Sequence, residues 1–119
     1  MNHACEFRSK FHLPNSGRIH RSTQKNLIVE EFKEFLEAEQ KMVGGIKEST
    51  TDCLKELADL VYVCYQFAAF MDWDLDQTMS RVHASNLSKL DDNGQPIYRE
   101  DGKVLKGPNY QPPNLTDLV

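Results

Sequence analysis

The chain has 119 residues, enough for one hydrophobic core and too few for a multidomain machine. Eighteen acidic residues against fourteen basic ones leave a net charge of −4, which argues against a dominant surface for a nucleic-acid polymer. No run reaches the ~20 apolar residues that span a bilayer, and the opening MNHACEFRSK lacks the apolar segment of a secretory leader. The expected setting is the cytoplasm, with no membrane partner and with Cys5, Cys53 and Cys64 reduced, since their number is odd and their spacing suits no zinc site.

In chain order, residues 2–12 suit a short helix with Phe7 and Phe11 on one side, and LPNSGR (13–18) reads as a loop. A second helix is expected from about His20 to Val43, stopped by Gly44-Gly45. Ser49, Thr50 or Thr51 can cap a third helix that runs to about Met71. DWD (72–74) is a short connection with Asp72 or Asp74 as the cap of a fourth helix, about Leu75 to Leu90. From Asp91 the composition turns to Gly, Pro and Asn, and PIYRE and KVLK can pair as a small hairpin across the EDG turn. The expectation is a single all-α domain over 1–119, a four-helix unit over about 2–90 with an irregular tail over 91–119.

Two acidic pairs stand out. Glu31 and Glu34 lie in VEEFKEF, and Glu56 and Asp59 in LKELADLV, each at i,i+3 spacing on one helix face. On a helical wheel of ~100° per residue, Leu27, Ala38, Met42, Phe35, Ile28 and Phe32 fill one apolar arc, with Glu31 inside it and Glu34 at its edge. Glu30, Lys33, Glu37 and Lys41 form the opposite stripe. On the third helix Glu56 falls between Val63 and Phe67, and Asp59 beside Phe70. A solvated face is the ordinary reading of a Glu-rich helix, but carboxylates inside apolar arcs need a partner. No nearby pattern of Lys or Arg supplies enough of them. The economical partner is Mg²⁺ or Mn²⁺, bound by hard oxygen ligands, and such a site beside a nucleotide serves phosphate chemistry.

The third helix is apolar on almost every side, from Leu54 to Phe70. Three other helices in so short a chain hardly cover it, so a homodimer at least is expected, with this helix in a shared bundle.

On the fourth helix Leu75, Met79, Val82 and Leu90 define an apolar stripe with Asn86 at its centre and Lys89 at its edge. An inward amide beside a lysine suits a phosphate or a metal-bound ligand, and a lysine at a helix C-terminus is the equally good structural reading. Lys106 and Tyr110 in KGPNYQPP either belong to a structured tail or reach phosphates, including those held by a neighbouring subunit. DWDLD fails as a calcium loop, with Gln77 at the sixth position and His83 at the twelfth. Trp73, Tyr62 and Tyr65 read as core or interface, whereas Phe7 and Phe11 could close over a base.

At these residues the chain resembles the MazG family of all-α nucleotide pyrophosphohydrolases. EEFKE (30–34) and ELAD (56–59), separated by twenty-one residues, match the family's EExxE and ExxD, and Asn86 and Lys89 match its NxxK. The tail from Ser88 to Leu115 is similar to that of short members, often phage-encoded. The resemblance implies a four-helix unit in homodimers or homotetramers that converts a nucleoside triphosphate to the monophosphate and pyrophosphate. It implies Glu31, Glu34, Glu56 and Asp59 as ligands of two or more Mg²⁺ or Mn²⁺ ions and as the catalytic carboxylates, with Glu30 supporting them. Asn86, Lys89, Lys106 and Tyr110 are the candidate substrate contacts. dGTP or another purine nucleotide is the first expectation for substrate, with dUTP as the alternative. A di-iron bundle, which needs ExxH motifs, and a non-catalytic helical interaction protein are the rival classes.

Overall fold

The computed structural model describes residues 3–44 and 47–119, with Lys47 described by its backbone alone. Four helices are formed: α1 (His3–Lys10), α2 (Arg18–Val43), α3 (Lys47–Phe70) and α4 (Leu75–Leu87), followed by a 3₁₀ turn at Thr116–Leu118. The all-α expectation is met, and no helix among the described residues is long and apolar enough to cross a membrane. The chain divides into two compact units, one ending at Trp73 and one running from Asp74 to Val119.

In the first unit α2 packs chiefly on α3, and α1 also packs on α3. Arg8 is the fastener of α1. Its guanidinium is buried and donates to Gln66 Oε1 at 3.1 Å, to Asn15 Oδ1 at 3.0 Å and to the Pro14 carbonyl, and it lies over the Phe70 ring. Gln66 completes the link by donating from Nε2 to the Ala4 carbonyl at 3.3 Å. Burial without a facing carboxylate holds the Arg8 pKa below its ordinary value.

Helix ends follow local chemistry. Gly17 precedes α2 at φ +103°, a conformation that side chains resist. At the other end the Gly44 N–H returns to the Lys41 carbonyl at 3.2 Å; Gly45 lies outside the described residues, as does Asn2 at the start of the first expected helix. α3 begins at Lys47, ahead of Ser49, Thr50 and Thr51, so these occupy its first turns rather than its cap. Thr51 Oγ1 instead donates to the Glu48 carbonyl at 3.1 Å. Asp72 and Asp74 divide the duty expected of either. Asp72, at φ +58°, closes α3 as Trp73 N–H reaches the Ala68 carbonyl at 2.9 Å and Asp72 N–H reaches Ala69 at 3.1 Å. Trp73 then packs on Phe67, the apolar contact that accompanies this Schellman closure. Asp74 caps α4 by accepting from Gln77 N–H at 2.9 Å.

In the second unit the tail folds back on α4. Arg81 forks onto Asp117 and donates to the Asn114 carbonyl, Ser85 donates to the Gln111 carbonyl at 2.7 Å, and Ser88 Oγ accepts from Gln111 N–H at 2.9 Å. Gly107 N–H meets the Lys89 carbonyl at 2.9 Å. The expected hairpin is a single antiparallel bridge, Tyr98 with Val104, extended by Arg99 N–H to Lys103 O and Leu105 N–H to Ile97 O.

Candidate active site

α2 and α3 run side by side, and each contributes one acidic pair to their shared seam. Glu31, Glu56 and Asp59 each offer a carboxylate oxygen, and these three oxygens lie within 4.8 Å of one another. All three side chains are half-buried, and one oxygen of Glu31 and one of Glu56 are wholly buried without a hydrogen-bond partner. Glu34, also half-buried, lies against Glu31 and disfavours its charge, but it is not one of the three converging residues. Burial pushes the Glu31 pKa up to about 7, helped by the Glu34 hydrogen bond and by repulsion from Glu34, Asp59 and Glu56. Glu30 is exposed, on the outer side of α2.

One partner was missed from the sequence. Lys55 Nζ sits 2.7 Å from Asp59 and 3.6 Å from Glu56, and this pairing raises its pKa. The signal was present as an i,i+4 spacing from Lys55 to Asp59. Lys55 is exposed and neutralises the outer edge of the cluster, leaving the buried oxygens of Glu31 and Glu56 unanswered. A cavity of about 500 Å³ opens beside Glu34 and Glu56, and Lys41, Ser49 and Lys55 also line it. Lys41 was assigned to the solvent stripe by its wheel position; the cavity wall reaches round to it.

The donor set suits a hard divalent cation. It is all carboxylate oxygen, the ligand type that Mg²⁺ takes. No His or Cys belongs to the group, so the ligand chemistry of a di-iron or zinc centre is not met there.

Residues 13–86 match the family model for phosphoribosyl-ATP pyrophosphohydrolase. The chain belongs to this family. The matched segment contains both acidic helices, and the family falls within the MazG-like all-α pyrophosphohydrolase type. An uncharacterized protein of Acanthamoeba polyphaga mimivirus is 27% identical over 82% of this chain. The chain spans about half the length of that relative, 55% of it.

The remaining candidates belong to the second unit. Asn86 is exposed on α4, contrary to its expected inward position. The tail is held by Arg81, Ser85 and Ser88, which turns the covered face of α4 away from Asn86. α4 ends at Leu87, so Lys89 lies beyond the helix, with its N–H on the Asn86 carbonyl at 3.2 Å. Lys106 stands over the Tyr110 ring, 4.7 Å from its centroid, so these two meet each other within the tail. Of the cysteines, Cys53 is buried, and partial burial raises the Cys64 thiol pKa.

Proposed function

We propose that this protein is a metal-dependent pyrophosphohydrolase that cleaves a nucleoside triphosphate between its α- and β-phosphates. The observation that carries this reading is the convergence of Glu31, Glu56 and Asp59 with two buried, unpartnered carboxylate oxygens. The family supports the reaction class, and the converging oxygens of Glu31, Glu56 and Asp59 support Mg²⁺ or Mn²⁺ there, with Glu34 as the fourth ligand of this reading. Bound there, such ions supply charge neutralisation for the triphosphate and acidify a water. Glu31 and Glu34 are paired so that one can take the proton of an attacking water while the other orients it. The water oxygen forms a bond to the α-phosphorus, the bond to the α–β bridging oxygen breaks, and pyrophosphate leaves with the electron pair. Lys41 and Lys55, on the wall of the adjoining cavity, receive that anion. Asn86, Lys89, Lys106 and Tyr110 remain candidate contacts from the second unit. The protein acts as a homodimer or a larger homo-oligomer.

The first substrate reading is a purine deoxynucleotide such as dGTP, with dUTP as the alternative. The family's name supplies a further one, phosphoribosyl-ATP. Chromatographic analysis of products with Mg²⁺ or Mn²⁺ and the common nucleoside triphosphates, dUTP and phosphoribosyl-ATP tests all of them. Monophosphate with intact pyrophosphate is expected, and diphosphate with orthophosphate would reject the reaction. Glu56→Gln and Asp59→Asn should each lower kcat at least a hundredfold while circular dichroism shows unchanged helix content. Normal turnover in both would remove these residues from the site.

A further inference from the structure

We infer that Phe7, Phe11 and Tyr62 form a stacking platform for the nucleobase, with Gln24 reading its edge; this deepens, and rests on, the nucleotide reading of the carboxylate site. The three rings are one connected surface. Phe11 stacks on Phe7 with centroids 4.4 Å apart, and Phe7 meets Tyr62 edge-on at 5.7 Å. Their outer faces remain open, with Phe11 63% and Tyr62 41% exposed. Open aromatic faces are what a base needs, because every base has a π-surface to stack.

Position ties this platform to the carboxylates. Tyr62 is three residues beyond Asp59 on α3, one turn along the same flank. α1 is held against α3 by the Arg8–Gln66 link, so Phe7 is carried on a fixed helix, and Phe11 follows in the turn that closes it, with its N–H on the Phe7 carbonyl at 3.0 Å. Gln24 lies seven residues before Glu31 on α2, nearly two full turns and therefore on the same face, about 10.5 Å along the axis. Its side chain is more than nine-tenths buried, and its Oε1 lacks a hydrogen-bond partner. A buried amide with an unused acceptor can pair with the donor edge of a base.

The order along the seam fits one orientation of one ligand. The lysine-lined cavity lies toward the C-terminal half of α2, the acidic cluster lies in the middle, and the rings and Gln24 lie toward the other end. A nucleoside triphosphate laid along this line puts its β- and γ-phosphates by Lys41 and Lys55. Its α-phosphate then meets the carboxylates, and its base meets the rings.

The test uses the full chain with Mg²⁺ and a non-hydrolysable α,β-methylene deoxynucleoside triphosphate, so that binding is read independently of turnover. Magnetisation should transfer in NMR from Phe and Tyr ring protons to base protons. Phe11→Ala, at an open position that leaves the fold intact, should weaken nucleotide binding roughly tenfold, as loss of one stacking ring does. It should leave inhibition by base-free inorganic tripolyphosphate unchanged while raising KM for the nucleotide, and Phe11→Trp should restore affinity. Gln24→Leu should flatten the ranking among bases. Binding and turnover that Phe11→Ala leaves untouched, or equal weakening toward nucleotide and tripolyphosphate, would overturn the platform while sparing the hydrolase reading. Nucleotide binding with ring-to-base transfer but no turnover would do the reverse. No nucleotide binding by the wild-type protein would overturn both.

Discussion

Glu31 concentrates the electrostatics of this protein in one side chain. Its pKa lies near 7 rather than at the ordinary 4.5, because burial and three neighbouring carboxylates disfavour its charge. Between those two values the folded protein holds a proton that the unfolded chain has released, so stability falls as pH rises through this window. Full stability from this group is present below pH 4.5 and is lost as the pH passes 7. A divalent cation binds the deprotonated form, which reverses the sign. In calorimetry without metal, the melting temperature should be lower at pH 8 than at pH 6. Adding millimolar Mg²⁺ should raise it by several degrees at pH 8 and by much less at pH 6, and Glu31→Gln should abolish that difference. A metal effect equal at both pH values would show that Glu31 is not a ligand. The i,i+3 carboxylates could be read from sequence because helical spacing is local. Pairing of Lys55 with Asp59 was equally local, but its weight could be judged only once the buried and exposed oxygens were distinguished.

At the scale of elements, the helices themselves were legible and their ends less so. Hydrophobic period places α2 and α3 within a few residues. The stop of α3, in contrast, uses Asp72 in a left-handed conformation, and α1 ends the same way at His12, at φ +54°, with Leu13 N–H on the Arg8 carbonyl. Neither position is glycine, so the sequence carries no flag for either closure. The tail is harder still, because its conformation is set by distant partners. A Cβ at Gly107 would lie 2.5 Å from the Lys89 carbonyl oxygen and 2.7 Å from that of Leu90. Both obstacles are backbone, so the tail and not a side chain would have to move. Gly107→Ala should therefore cost roughly 1–3 kcal/mol in denaturant melts and raise the protease sensitivity of residues 103–119, while Gly94→Ala, strained by its φ of +73° but with open space around its Cβ, should leave that sensitivity unchanged. Equal protease sensitivity of that segment in the two variants would count against this account of the tail. The inward assignment of Asn86 failed for the same reason: Arg81, Ser85 and Ser88 are polar, and an apolar stripe cannot reveal that a polar tail docks on them.

For the whole molecule, the decisive quantity is the apolar surface that a single chain leaves in water. Leu54, Leu57 and Val61 follow i, i+3, i+7 spacing on α3 and are exposed, Leu54 by 65%. Val29, Phe32 and Leu36 repeat that spacing on α2, and they too are exposed. Among the described residues Phe70 is the one large side chain in the buried apolar set; the others, Ala4, Ala38, Cys53 and Ala68, are small. Stripes of this kind at helical period are the faces by which helices join a bundle, and each Leu or Phe removed from water contributes roughly 1.5–3 kcal/mol. The composition of α3 points the same way, since a helix apolar on almost all sides asks for more neighbours than its own chain offers. Self-association would provide them and would hold the two acidic helices more rigidly, which links assembly to the metal site. Sedimentation equilibrium should therefore give a mass of at least twice the 13.7 kDa chain. Leu54→Glu combined with Val61→Glu should shift the species toward monomer, lower the melting temperature and reduce turnover together. A wild-type protein that sediments as a single chain at micromolar concentration would refute the shared bundle. The carboxylate site would then have to be complete within one copy, held by α2 and α3 alone.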